Sequence, residues 1–210
     1  MKVFGFVQAG GGSTRFGVDK ALVEIGGKTL LERTVELMDS VCGETRIVAA
    51  AGKYAHPRAT IVADKWPGQG PLGGILTALH FIKEQFRIAD EEDSCALIVS
   101  CDMPFLTREW LAYLCDRAAK STAQVVVPES ENGLEPLCAC WRTEAAVTIQ
   151  GAFDGGVRKV TEAMKRLPME VLDESAWKRF DTDGRLFWNM NTAEDYEEAR
   201  RVLTQRATSG

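Results

Sequence analysis

The sequence predicts an α/β protein with a mainly parallel sheet covered by helices on both faces. Short apolar runs of strand length alternate along the chain with longer stretches in which apolar residues recur at helical spacing. The run at 95–100 is apolar almost throughout, as a central parallel strand buried on both faces must be. No internal repeat and no long Pro/Ser-rich linker interrupts the 210 residues, so 1–210 is expected to form one domain.

The first strand is expected over Val3–Val7, followed by a glycine-rich segment. A helix comes next, with Leu31, Val35, Met38 and Cys42 on one face. Strands are expected at Arg46–Ala50 and Thr60–Ala63. Leu72, Ile75, Leu76, Leu79, Ile82 and Phe86 then form the apolar stripe of a second helix. The acidic run Asp90–Asp93 reads as a solvated loop before the strand Ala96–Ser100. Thr107 is a plausible cap for a helix that places Leu111, Leu114, Cys115 and Ala118 together. Gln124–Val127 reads as another strand, and Cys138 and Cys140 alternate along a further one. Near the end, Thr192 and Asp195 have capping-box spacing ahead of Tyr196, Ala199, Val202 and Leu203.

Composition narrows the functional classes. A net charge of −5 argues against a general nucleic-acid binder, which would carry a basic stripe. The six cysteines, at 42, 95, 101, 115, 138 and 140, show no Cys-x-x-Cys spacing, and several fall in apolar runs. They read as buried thiols in a reducing compartment, not as a disulfide frame or a zinc site. No apolar stretch is long enough for a signal-peptide core or a membrane span, so a cytoplasmic protein without a membrane partner is expected.

The most informative segment is Gln8-Ala9-Gly10-Gly11-Gly12-Ser13-Thr14-Arg15-Phe16-Gly17-Val18-Asp19-Lys20. Consecutive glycines let the backbone approach a ligand closely and turn its N–H groups toward an anion. Arg15 and Lys20 add positive charge, so a phosphate chain is the expected ligand. Neither common phosphate fingerprint fits. The dinucleotide pattern started at Gly10 meets Arg15 where glycine is required, and the P-loop pattern started at Gly12 meets Val18 where lysine is required. A second acid chemistry follows the strand at 95–100, in Cys101-Asp102-Met103-Pro104. Ligands of open α/β sheets bind beyond the carboxyl ends of the strands. Parallel pairing would therefore bring Asp102 and the glycine segment to one edge. A carboxylate there can hold Mg²⁺, which keeps most of its waters and bridges to phosphate; taken alone, Asp102 could equally cap a turn.

The segment Ala9–Lys20 resembles the signature of nucleotidyltransferases acting on sugar phosphates and pterins, with Ser13, Arg15, Phe16, Gly17, Asp19 and Lys20 in register. Gln8 departs from it, since an apolar residue is usual there. Cys101–Pro104 is similar to the same families' magnesium-binding motif. Asp64 with Gly70-Pro71-Leu72-Gly73-Gly74, Glu135-Pro136-Leu137-Cys138-Ala139, and Asn189-Met190-Asn191-Thr192 resemble the pterin branch, the molybdenum cofactor guanylyltransferases. The resemblance implies a Rossmann-like three-layer α/β/α sandwich of the nucleotide-diphospho-sugar transferase type. It implies transfer of GMP from GTP to the phosphate of molybdopterin, giving molybdopterin guanine dinucleotide and pyrophosphate, with Mg²⁺ as cofactor. Gln8, Ala9, Gly10, Gly11, Lys20, Asp64 and Asp102 are then the expected nucleotide site. Arg15, Lys20 and Asp102 are the expected catalytic residues, with Asp102 on the metal and Asn189 and Asn191 on the acceptor side. The N-terminal half would bind the nucleotide and the C-terminal half the acceptor. Molybdoenzymes or their chaperones would be the downstream partners.

Other readings stay open at this level. A cytidylyltransferase acting on the same pterin is the nearest, although Ala9-Gly10-Gly11 matches the guanylyl form. Transfer to a sugar or alcohol phosphate is another, and a non-catalytic nucleotide-binding or cofactor-delivery protein would belong to a different class. Asp64 could be an ordinary loop carboxylate, and Asn189 and Asn191 could simply lead into the last helix. His80 reads as structural and His56 has no assigned role. Trp66, Trp141 and Trp188 read as packing residues, though a tryptophan can also stack on a pterin. Cys101 is not expected to be a nucleophile, because the neighbouring Asp102 would raise its pKa.

Overall fold

The computed structural model describes residues 1–10, 19–86 and 94–208. In chain order the elements are β1 (Lys2–Gln8), the small hairpin β2 (Glu24–Ile25) and β3 (Lys28–Thr29), α1 (Leu30–Cys42), β4 (Thr45–Ala49), β5 (Thr60–Ala63), α2 (Pro71–Phe86) and β6 (Ser94–Ser100). They continue with α3 (Arg108–Lys120), β7 (Val125–Ser130), β8 (Gly133–Leu134), β9 (Cys138–Arg142), α4 (Ala145–Asp154), α5 (Val160–Met164), β10 (Met169–Leu172), α6 (Glu174–Trp177) and α7 (Ala193–Thr208). None of the described helices is long and apolar enough to cross a membrane.

The main sheet has the order β10-β7-β9-β6-β1-β4-β5, with β8 paired only to β7. All pairings along it are parallel except those of β9, which runs against both β6 and β7. The expected mainly parallel, three-layer α/β/α arrangement is what forms. Every residue of β6 is buried, so its continuous apolar run suits a strand with helices on both sides. Side chains of β1 alternate between the layers. Phe4 and Phe6 pack with α2, α4 and α5, while Val7 packs with α1 and α3. Cys138 and Cys140 of β9 face the α1/α3 layer, and Ala139 and Trp141 face the other.

Several boundaries differ from the sequence expectations. The strand expected at Arg46–Ala50 runs from Thr45 to Ala49, because the Ala50 carbonyl instead accepts from the Lys53 amide in a turn, at 3.1 Å. The strand expected at Gln124–Val127 runs on to Ser130, where it folds back onto β8. The β2–β3 hairpin, β10 and helices α4 to α6 carry no expectation from the sequence; most are five residues or shorter, too brief for a period to declare itself. Both expected caps form. Thr107 accepts from the Trp110 amide at 3.2 Å, and Thr192 and Asp195 exchange bonds at the head of α7. The acidic run 90–93 lies outside the described residues.

Register positions the site. Gln8 of β1 lies opposite Val48 of β4 and Ser100 of β6, so these three parallel strands end level with one another. The chain therefore leaves all three at one edge, delivering Ala9-Gly10, Ala49-Ala50 and Cys101-Asp102 side by side. The antiparallel β9 starts at that edge, and Leu137 just before it accepts from the Ser100 amide at 2.8 Å.

Candidate active site

A cleft of about 470 Å³ opens at this edge, lined by Gln8, Ala9, Gly10, Lys20, Lys53, Asp64, Asp102 and neighbouring backbone. The Ala9 amide is anchored to the Val48 carbonyl at 3.0 Å, after which Gly10 takes φ +131°, a conformation that L side chains rarely adopt. Gly11 and Arg15 lie outside the described residues. Where the chain resumes, Asp19 caps a 3-10 turn at Lys20–Leu22 by accepting from the Ala21 amide at 3.1 Å. Its other oxygen accepts from the Tyr54 hydroxyl at 2.7 Å and from Lys53 Nζ at 2.8 Å. Burial pushes the Asp19 carboxyl up, and the bonds from Lys53, Tyr54 and Ala21 outweigh it, holding the group below the ordinary carboxylate range. Lys53 is raised in turn, chiefly by its bond to Asp19, and burial pushes Tyr54 up to about 12.

Lys20 Nζ donates to Asn191 Oδ1 at 2.9 Å, across 171 residues of sequence. The Asn191 segment is itself fixed from both sides. Asp195 accepts from the Asn191 and Thr192 amides at 2.7 and 2.8 Å, and the Met190 amide donates to the backbone carbonyl of Asp102 at 2.9 Å. Asn189 is placed differently, since its side-chain amide donates to the Phe187 carbonyl at 3.2 Å and holds its own turn. Neither asparagine is among the residues lining the cleft; Asn191 meets it through Lys20.

Asp102 is half-buried, and its Oδ1 is buried with no hydrogen-bond partner among the described residues. An unpaired buried carboxylate oxygen costs about 1–3 kcal/mol or more, so this one is poised for a cation or donor. Among the described residues no group of three or more His, Cys, Asp or Glu converges on a metal position. One carboxylate without further protein ligands suits Mg²⁺, which takes few protein ligands and retains water, and does not suit zinc. The neighbouring Cys101 thiol is pushed up to about 12, by burial first and then by the Asp102 charge, which rules it out as a nucleophile at neutral pH.

Asp64 lines the cleft, but its Oδ1 is already engaged by the Trp66 amide at 3.0 Å and by the hydroxyl of the fully buried Thr77 at 2.9 Å. Those bonds fix the carboxylate's orientation and leave Oδ2 without a partner among the described residues. Gln8 donates from Nε2 to the Pro71 carbonyl at 2.9 Å, tying β1 to the start of α2, while its Oε1 is buried and unpaired among the described residues. Glu135 is almost fully buried behind Leu137. Burial and then the Asp102 charge push its carboxyl up, against a 2.6 Å bond from Ser130 Oγ that lowers it.

The sequence reading did not find Lys53, Tyr54 or Thr77, and it read Glu135 only as part of a motif, with no role. A lysine or threonine several residues past a strand carries no motif of its own; a cation following β4, a strand level with β1, was the available signal for Lys53. The tryptophans are packing residues. Trp141 is fully buried with Nε1 on the Pro136 carbonyl, Trp66 packs on His80 and Phe153, and Trp188 packs on Phe105. His80 bonds Gln150 between α2 and α4 at 3.0 Å, as its structural reading expects. A larger, open depression of about 1080 Å³ runs beside α7, lined by Glu194, Glu197, Glu198, Arg200 and Arg201. It lies between Gly26 of the β2–β3 turn and α7, away from the ends of β1, β4 and β6, and Glu197, Glu198, Arg200 and Arg201 pair with one another or with Arg185.

A sheet-edge cleft that joins Gly10, a lysine and a half-buried aspartate is the arrangement expected of a nucleotidyltransferase. The MobA-like NTP transferase domain matches residues 5–167, and the chain belongs to that family. It is 30% identical over 208 residues to the probable molybdenum cofactor guanylyltransferase of Chloroflexus aggregans, covering 97% of this chain and 96% of that one. It is equally 30% identical, over 203 residues and 96% of each chain, to the molybdenum cofactor guanylyltransferase of Desulfosudis oleivorans. Among solved structures, molybdopterin-guanine dinucleotide biosynthesis protein A from Archaeoglobus fulgidus superposes with a TM-score of 0.80 at 26% identity, covering 98% of this chain and 100% of that one.

Proposed function

We propose that this chain transfers GMP from GTP to the terminal phosphate of molybdopterin, with Mg²⁺ as its divalent cation. The observation that carries the reading is the closure of the site around Asp102. The Met190 amide sits on its carbonyl, and Asn191 meets Lys20 from the glycine-rich segment. The 189–192 segment, which resembles the pterin branch, thus packs beside the cleft against the Asp102 and Lys20 segments. The full-length relatives named as guanylyltransferases support the same substrates.

In this reading the acceptor phosphate attacks the α-phosphorus of GTP in line and pyrophosphate leaves. The nucleophile is already an anion, so no general base is required. Catalysis rests on positioning and charge neutralisation. Backbone amides of Gly10 and Gly11 would hold phosphate oxygens, the Ala9 amide being taken by the Val48 carbonyl, and Lys20 with Arg15 would neutralise the chain as charge moves to the leaving group. Asp102 would hold the Mg²⁺, which when bound screens phosphate charge. Asp64, oriented by Thr77 and the Trp66 amide, would accept from guanine N1–H and the N2 amino group through Oδ2. Residues 1–210 act as one domain, with Asn189 and Asn191 toward the acceptor. Asn191 would reach the acceptor through its Lys20 contact and Asn189 by shaping the turn. Six unpaired cysteines fit work in a reducing cytoplasm, with the product passed to molybdoenzymes or their chaperones.

The test incubates the protein and Mg²⁺ with molybdopterin and each of GTP, CTP and ATP, scoring pyrophosphate and the dinucleotide formed. GTP should exceed CTP in kcat/KM by about tenfold or more, about 1.4 kcal/mol of differential transition-state binding. Equal use of the two bases would sink the guanylyl assignment.

A further inference from the structure

Lys53 lines the same cleft as Lys20 and Asp102, yet neither motif nor mechanism has given it work. Its ammonium lies 4.0 Å from the point where a Cβ on Gly10 would stand, directly beside the glycine backbone that meets phosphate. The base of the side chain is fixed by the turn after β4, where the Lys53 amide donates to the Ala50 carbonyl at 3.1 Å. The ammonium also rests 5.0 Å from the centre of the Tyr54 ring. Its charge partner is Asp19, at 2.8 Å, with the two side chains 36% and 26% exposed.

We infer that Lys53 is a second phosphate-binding lysine, which exchanges its ion pair with Asp19 for the polyphosphate chain of the nucleotide or of pyrophosphate. The inference rests on the nucleotidyltransferase reading of the cleft and names a further residue of it. Magnitudes favour the exchange. An ion pair this exposed contributes about 0–1 kcal/mol, so giving it up costs little. Charge-assisted bonds to a polyphosphate are about twice as strong as neutral ones, and here they would form beside the Gly10 backbone. Asp19 is not stranded when Lys53 leaves, because the Tyr54 hydroxyl and the Ala21 amide still donate to it. The resting pair thus keeps a cation beside Gly10.

The experiment measures calorimetric affinity of the full chain for pyrophosphate and for GTP, at low and high salt, alongside melting temperature. Lys53→Gln should weaken pyrophosphate about tenfold at low salt and flatten the salt dependence, since one charged contact is gone. Lys53→Arg should restore most of the loss. Asp19→Asn separates binding from structure, because it removes the resting partner while leaving a polar group for Ala21 and Tyr54. It should lower the melting temperature yet leave pyrophosphate binding as tight as in the parent, or tighter. If Lys53→Gln binds pyrophosphate within twofold of the parent, or if both substitutions weaken it equally, Lys53 is a structural clasp and the inference is wrong. Pyrophosphate carries no base, so a preference for CTP over GTP would overturn the guanylyl reading while leaving this result standing. Normal GTP selectivity with unchanged Lys53→Gln affinity would do the reverse.

Discussion

Replacing Gly74 with alanine tests how the floor of the cleft is built. Gly74 lies inside α2, where alanine would ordinarily add about 1 kcal/mol of helix stability. Here a Cβ would stand 1.8 Å from Gln8 Nε2 and 2.6 Å from Gln8 Cδ, separations no real contact shows. The Gln8 side chain must move, losing its bond to the Pro71 carbonyl, and the α2 backbone cannot yield without opening the helix. A lost hydrogen bond costs about 1 kcal/mol and overpacking about 1–3 kcal/mol, so the net change is a destabilisation of about 1–3 kcal/mol after the helix gain. For a chain of this size that lowers the melting temperature by roughly 2–12 °C. Gln8 lines the proposed nucleotide cleft, so GTP affinity should fall with stability. The decisive control is the same substitution in a Gln8→Ala background. With the obstructing side chain gone, the helix preference alone acts, and Gly74→Ala should raise the melting temperature by roughly 2–4 °C. Thermal melts of the four proteins in this cycle measure the coupling directly. A destabilisation of the same size in both backgrounds would show that Gln8 is not the obstacle and refute the reasoning.

Three further expectations concern charge in the cleft. Asp102→Asn is nearly isosteric and leaves a buried neutral oxygen, so turnover should fall by orders of magnitude with little change in melting temperature; near-normal turnover, or unfolding as the main effect, would make Asp102 a structural cap. Lys20→Ala removes both a charge and the bond to Asn191, so GTP affinity and kcat should fall together, with only partial rescue by added Mg²⁺; an effect on kcat alone would contradict direct contact with the nucleotide. Tyr54→Phe deletes one donor to Asp19, whose lowered carboxyl adds stability above the ordinary carboxylate range and loses it as acid takes the pH through the lowered value. The melting-temperature deficit of Tyr54→Phe should accordingly be full near neutral pH and close in strong acid; a deficit constant down to pH of about 2 would remove Asp19 as its source.

What the sequence determined on its own is whatever repeats locally or forms a contiguous motif. The apolar runs declared the central strands, since burial on both faces leaves no polar alternation to obscure them. The α1, α2 and α3 stripes declared the two helical layers, and Thr107 and Thr192 marked helix starts because a cap is a contact within four residues. The glycine segment and Asp102 could be placed on one edge because parallel strands end on the same side. Tertiary structure decided what depends on partners far apart in the chain. Only the register of β1 against β4 brings Lys53 and Tyr54 to Asp19, residues that show no pattern in their own neighbourhoods. Only the packing of α2 on β5's end fixes Asp64 through Thr77, thirteen positions away. The same holds for the separation of Asn191, drawn to Lys20, from Asn189, turned back on Phe187. Two asparagines in one short motif are equivalent to a sequence reading; the direction each side chain takes is set by which donors and acceptors the fold brings within about 3 Å.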